Sequence, residues 1–199
     1  MSTRSHYPDY DVLRERDHWD DHTRRIVLAR LVRERGYAFF GPEEAECVRA
    51  VCARLVDDTR ADILQFVVGH LDETLHRPVG EGQRKPGVPP AAELVREGLK
   101  RLNTAALDRR MKPFYQLPPD EQEQLLRAVG ESRAEPAHVW EWFPQKAWFD
   151  KMLKLTLEAY YSHPTVWSEI GYGGPAYPRG YVRVRPGQLD PWEAKNTNG

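Results

Sequence analysis

The residues best equipped for chemistry in this sequence lie in a few short runs. "DHWDDH", from Asp17 to His22, sets His18 and His22 four positions apart among three carboxylates, a spacing that can present two imidazoles to a metal from one helical face. A metal needs further convergent ligands, and the His-Glu-x-x-His order is missing; Asp20 or Asp21 reads instead as a helix N-cap. "PDEQEQ", from Pro119 to Gln124, holds three acids, but acid and base carboxyls must face one cleft with separated pKa values, and a helix start accounts for the run. Ser162 stands next to His163. Sequence neighbours rarely aim their side chains at each other, and no Gly-x-Ser-x-Gly elbow is present, so Ser-His-Pro reads as the turn that ends a helix. His70 and His76 read as structural groups near a helix end, where an imidazolium interacts favourably with the dipole.

Cofactor motifs fail on context. "GYGGP", from Gly171, neither follows a strand nor opens a helix, as a dinucleotide fingerprint must. The basic loop "RPVGEGQRKPGVPP", from Arg77 to Pro90, lacks the Gly-Lys-Ser/Thr ending of a phosphate cradle and reads as a connector. Cys47 and Cys52 are five residues apart in a helical pattern, about 7.5 Å along the axis, beyond comfortable disulfide reach. From its residues alone, then, the chain is expected to hold no metal and no cofactor.

The elements that would have to position such groups are helical. From Asp20, a cap followed by Ile26, Ala29 and Val32 predicts a first helix that Gly36 stops. Pro42 opens a second through Ala45, Val48, Cys52, Leu55 and Val56. Ile63, Leu64, Val67, Val68, Leu71 and Leu75 predict a third, ended by Pro78. Ala92, Val95, Leu99, Leu102, Ala106 and Leu107 give a fourth, and "LPPDEQEQLLRAVG" a short fifth. Trp140, Phe143, Ala147, Phe149, Met152, Leu155 and Ala159 give a sixth, which Pro144 kinks or divides. "YVRVR", Tyr181 to Arg185, is the single strand candidate. The expected fold is all-α, one helical domain of about six helices over residues 1–163, with a long irregular arm over 164–199.

With 199 residues, 40% hydrophobic and 30% charged, the chain can bury one ordinary core. A net charge of −1 supplies no cationic field for nucleic acid or an anionic membrane surface. No stretch approaches the roughly 20 apolar residues of a membrane span, and the opening residues lack a secretory apolar region. The expected location is the cytoplasm.

The arm differs in style from the rest. From Pro164 to Gly199, 11 of 36 residues are glycine or proline, against 30 of 199 overall, and Trp167, Tyr172, Tyr177, Tyr181 and Trp192 are spread along it. Disordered tails are poor in aromatics; these side chains gain by burial. Two readings stay open: aromatic anchors that grip a partner, or a wrap over the chain's own helices.

"TLEAYYSHPTVWSEIGYGGPAYPRGYVR", from Thr156 to Arg183, has a helix ending in two tyrosines, then His-Pro, a tryptophan and a Gly-Tyr-Gly-Gly run. In this it resembles the gluconate 2-dehydrogenase subunit 3 family, small subunits of flavin-dependent sugar and polyol dehydrogenases. Fainter similarity runs through "LPPDEQEQLL", "WFPQKAWFDKMLKLT" and the opening "YPDYDVLRERDHWDDHTRRIV". The resemblance implies a non-catalytic, all-helical accessory subunit that supports a large catalytic subunit of the glucose-methanol-choline oxidoreductase type. FAD and the catalytic base would belong to that partner, and a cytochrome c subunit is a further partner. The family's twin-arginine export signal has no counterpart in "MSTRSH", which leaves co-export with a signal-bearing partner as the periplasmic alternative. The partner-binding residues expected on this basis are Tyr160, Tyr161, His163, Pro164, Trp167, Tyr172, Gly173, Gly174, Tyr177, Arg179, Tyr181 and Arg183. Two rivals stand beside it: a free-standing sugar-active enzyme drawing its acid and base from Asp17, His18, His163 and Glu169, and a helical scaffold with an unrelated partner.

Overall fold

The computed structural model describes residues 5–31, 36–77, 85–183 and 185–195. Among them every regular element is helical: α1 (Asp21–Ala29), α2 (Pro42–Leu55), α3 (Ala61–His76), α4 (Ala91–Arg110), α5 (Pro119–Gly130), α6 (Ala137–Trp140), α7 (Gln145–Tyr160) and α8 (Pro164–Ile170), with 3₁₀ segments at Val12–His18 and Phe114–Gln116. The all-α expectation stands, while its count of six helices is corrected. Pro144 divides the expected sixth helix into α6 and α7, because proline cannot donate into the ladder. Further along, α8 forms inside the expected irregular arm: Pro164 takes the first helical position and the His163 ring nitrogen accepts the Thr165 N–H, both favourable helix-start features. Tyr181–Arg185 forms no strand among its described residues; Val184 lies outside them, as do Val32 and Pro78. Among the described residues no helix is long and apolar enough to cross a membrane.

The chain folds as two compact units, one of Glu34–Ala159 and one of Met1–Arg33 with Tyr160–Gly199. In the first, α2, α3 and α4 bury most of their predicted stripes: Val48, Cys52, Ile63, Val67, Val68, Leu71, Val95 and Leu102 are sealed from solvent, as is Val51, which the predicted stripe omitted, whereas Leu107 is exposed and Leu55 and Val56 are half-buried. The buried Asp72 carboxylate accepts the N–H groups of Ala38, Phe39 and Phe40 at 2.8–2.9 Å, satisfying backbone donors that no helix can pair. This fixes the chain's entry into α2, whose Gly41 N–H is accepted by Glu44. Trp148 of α7 is wholly buried, and its indole N–H donates to the Val95 carbonyl at 3.2 Å. Gly98 of α4 makes room for that ring, since a Cβ there would lie 2.0 Å from the indole nitrogen.

The other unit is smaller and far less regular. Asp11 caps the Val12–His18 segment, and Asp20 caps α1 by accepting the N–H groups of His22 and Thr23. Bonds from Thr23 hold the Asp20 carboxyl below the usual carboxylate range. Val12, Trp19, Val27 and Trp167 form the core, with Tyr10 and Leu13 against it. The stripe expected on α1 is therefore wrong by one position: Ile26 and Ala29 are exposed and Val27 is the buried residue, since so short a helix meets its core along one narrow line.

Candidate partner-binding face

The twelve sequence-predicted residues fall into an inner and an outer set. Tyr160, His163, Pro164, Trp167, Gly173 and Gly174 are buried, whereas Tyr161, Tyr172, Tyr177, Tyr181 and Arg183 are exposed and Arg179 is intermediate. The inner set builds the unit. Trp167 donates its indole N–H to the Tyr161 carbonyl, and Arg30 lies 5.2 Å from the ring centroid of Trp167 while donating to the Ser162 carbonyl at 2.7 Å. On the next turn, Ser168 Oγ accepts the Val12 N–H at 3.0 Å.

The Gly-Tyr-Gly-Gly run follows from this packing. Gly171 ends α8 at φ 75°, and a Cβ there would sit 2.4 Å from the Tyr7 ring. At Gly173 it would meet Trp192 at 2.9 Å, and at Gly174, φ 77°, Trp19 at 2.9 Å. Only glycine takes a left-handed backbone at close approach without strain. Tyr172, the one side chain in the run, stands against the Trp167 ring edge-on at 5.2 Å between centroids. Burial, then the nearby Tyr181, pushes the Tyr172 hydroxyl above its ordinary pKa, so it stays a neutral donor.

Among the described residues beyond Gly174 no ladder forms, and side chains replace it. Arg179 donates to the carbonyls of Gly173 and Pro175 at 2.8 and 3.1 Å, pairs with Glu15 at 3.4 Å and lies 4.6 Å from the Trp192 ring centroid. One guanidinium thus gathers four parts of the unit, using its fork of donors and its flat cation together. The fully buried Asp190 accepts the N–H groups of Val182 and Arg183, both at 2.8 Å. Its own N–H donates to Glu193, which also pairs with Arg183 at 3.3 Å. Tyr10 donates to the Trp192 carbonyl at 2.8 Å. Asp190 and Glu15 escaped the sequence reading, which named Trp192 among the arm's aromatics but not among the partner-binding residues; the Asp190-Pro191 dipeptide, a turn initiator, was the available signal.

On this bonded frame sit Tyr177, 70% exposed, and Tyr181, 67% exposed, with Val182 and Leu189 also open. Arg183 lies 5.4 Å from the Tyr181 ring centroid. Rigid aromatic rings with few torsions lose little entropy on docking, so the face is suited to gripping an apolar protein surface. The recess between Tyr7–Glu15 and Pro191–Lys195, about 280 Å³, is lined by Tyr7, Tyr10 and Trp192 and by Asp9 and Asp11.

The catalytic candidates do not converge. His163 is buried with Nδ1 accepting the Thr165 N–H at 3.2 Å, whereas the side chains of Asp17 and His18 stand in solvent. Among the described residues no three His, Cys, Asp or Glu side chains are grouped to hold a metal. Cys47 and Cys52 are buried free thiols.

A sequence model of the family described as gluconate 2-dehydrogenase subunit 3 matches residues 42–174. No curated protein and no solved structure matches this chain.

Proposed function

This chain belongs to the gluconate 2-dehydrogenase subunit 3 family, and on that premise we propose that it is a non-catalytic accessory subunit of an FAD-dependent sugar dehydrogenase. Its partner is a large flavoprotein of the glucose-methanol-choline type that carries the FAD and the catalytic base. The observation that carries the reading is the pair of open rings, Tyr177 and Tyr181, held on a backbone that Arg179 and Asp190 tie down. Exposed aromatics on a pre-formed frame are what an interface anchor requires, because the ordering cost is already met before docking. The inner residues, Trp167, Gly173 and Gly174 among them, serve the same purpose indirectly by fixing that frame.

Co-expression with a glucose-methanol-choline-type flavoprotein from the same genome, with the tag on the large chain, tests the reading. The expected result is co-elution in fixed ratio and a higher yield of soluble, flavin-loaded large subunit. A 199-residue chain that purifies monodisperse and never associates with the flavoprotein overturns it. A cytochrome c subunit belongs to the same proposal, and haem absorbance of the purified complex reports on it.

A further inference from the structure

A recess of about 370 Å³ lies between α2 and α4 in the Glu34–Ala159 unit, with Tyr115 of the Phe114–Gln116 segment on its wall. That volume is within the range of small-ligand sites. Its lining includes two buried apolar groups, Leu99 and the free thiol of Cys47, which is 4% exposed. Part of the charged lining is engaged within the chain: Arg96 pairs with Glu44 at 3.2 Å and donates to the Phe39 carbonyl at 2.7 Å. The rest is uncommitted. Among the described residues the side chains of Glu43, Glu97 and Lys100 have no ion pair and no hydrogen bond, although Glu97 and Lys100 stand three apart on α4, a spacing at which such pairs form. Asn103 accepts the Phe114 N–H through Oδ1 at 2.9 Å, and its NH₂ is left without a partner. Glu97 and Asn103 are both half-buried, where an unmet polar group is costly.

We propose that this recess binds a free basic amino acid of the lysine type. Its α-ammonium pairs with Glu97, its carboxylate with Lys100 and the Asn103 NH₂, and its side-chain ammonium with Glu43 across the recess on α2. Charge makes the selection. Once Arg96 and Glu44 have neutralised each other, the lining offers two carboxylates and one ammonium, the mirror image of a ligand with two ammonium groups and one carboxylate. A phosphate or simple carboxylate would face Glu43 and Glu97, and a lone cation would face Lys100. A neutral polyol would cover three charges without a countercharge, at a cost in desolvation. Spacing agrees with charge. Glu97 and Lys100 are roughly 4.5 Å apart along the helix axis, which suits the adjacent ammonium and carboxylate of an amino acid. The aliphatic stem would cover Cys47 and Leu99, as lysine stems cover apolar surface elsewhere, and reach a helix whose axis packs about 8–10 Å away. This inference does not rest on the accessory-subunit reading, and its test needs no partner.

Isothermal titration calorimetry of the whole 199-residue chain with L-lysine, with cadaverine, which is lysine without its carboxylate, and with sorbitol tests the proposal. Wild type is expected to bind lysine with a millimolar or tighter Kd, and about fivefold or more tightly than cadaverine, the difference being the charged bond to Lys100. Lys100→Ala should abolish that preference, lowering the affinity for lysine while that for cadaverine is unchanged or higher. Glu97→Gln should weaken lysine binding by about fivefold to tenfold. Neither side chain is bonded within the chain, so both variants should keep the wild-type Tm in the absence of ligand, and their losses report on the recess alone. The absence of lysine binding at millimolar concentration overturns the proposal. Lysine affinity unchanged in both variants overturns the assignment to this recess, and sorbitol binding as tightly as lysine overturns the choice of a charged ligand.

Discussion

At the scale of single residues, burial decides what the chemical groups do. Burial pushes the thiols of Cys47 and Cys52 up to about 12, and Cys52 Sγ lies 3.3 Å from the Thr156 hydroxyl. In the folded chain at pH 8 neither thiol should react with iodoacetamide over hours, whereas both should react in urea; mass spectrometry counts the adducts. Because these folded pKa values are raised, the associated stability is fully present below the ordinary thiol value near 9.0 and is lost as pH rises from there toward 12. A Cys47→Ala/Cys52→Ala variant, though less stable at neutral pH, is expected to lose less Tm between pH 9 and 11 than wild type. Gly174 is a second residue whose identity is forced. Gly174→Ala combines left-handed strain, about 1 kcal/mol, with overlap on a buried tryptophan, about 1–3 kcal/mol. Amide exchange should report a loss of about 2 kcal/mol or more, confined to Val12, Trp19 and their neighbours.

The scale of the element shows what periodicity can and cannot say. Helices α2, α3, α4 and α5 lie where their apolar spacing and caps predict, because each carries a stripe several turns long that has one way to face a core. The sixth helix was legible in composition and less so in register. Ala147 and Phe149 fit the period, yet the side chain at the centre is Trp148 between them, and the space it fills is opened by Gly98 on a different helix. That pairing gives a prediction. Alanine gains about 1 kcal/mol over glycine in helix propensity, but its Cβ would overlap the indole, so Gly98→Ala should be destabilising by about 2 kcal/mol. Urea unfolding measures it, and a Trp148→Leu replacement in the same chain should recover part of the loss. In α8 no long stripe exists, and the helix depends on the Pro164 start, the His163 cap and the burial of Trp167. Deleting everything after Pro164 would therefore remove a core residue along with the arm. Substitutions at the rim separate the two effects better.

For the whole molecule, the arm is at once part of a core and part of a surface. Its first residues, through Gly174, pack with Val12 and Trp19, and its later ones present Tyr177 and Tyr181. Of the two readings that the sequence left open, packing on the chain's own elements holds for the residues through Gly174, and the exposed rings of Tyr177 and Tyr181 are the ones the partner reading depends on. A Tyr177→Ala/Tyr181→Ala variant should keep its circular dichroism and its stability within about 0.5 kcal/mol, as exposed substitutions do. It should bind the flavoprotein with at least tenfold lower affinity, since truncated interface anchors cost more than 1 kcal/mol each. Surface titration calorimetry or biolayer interferometry reads the affinity directly. A loss of helicity in parallel with affinity would mean the two rings belong to the fold.

The amino-acid sequence by itself determined the all-helical class, the places of the long helices and the family, because each rests on local features: stripes, caps, prolines and an ordered motif of residues. The tertiary structure alone decided which aromatic rings are inside. Trp140, Trp148 and Trp167 are buried, while Trp142, two residues from one of them, stands in solvent. That distinction depends on which helix comes to lie opposite and on a backbone φ of 59° at Trp142. Side-chain type says that a tryptophan gains by burial; only the packed chain shows which one has been left without it.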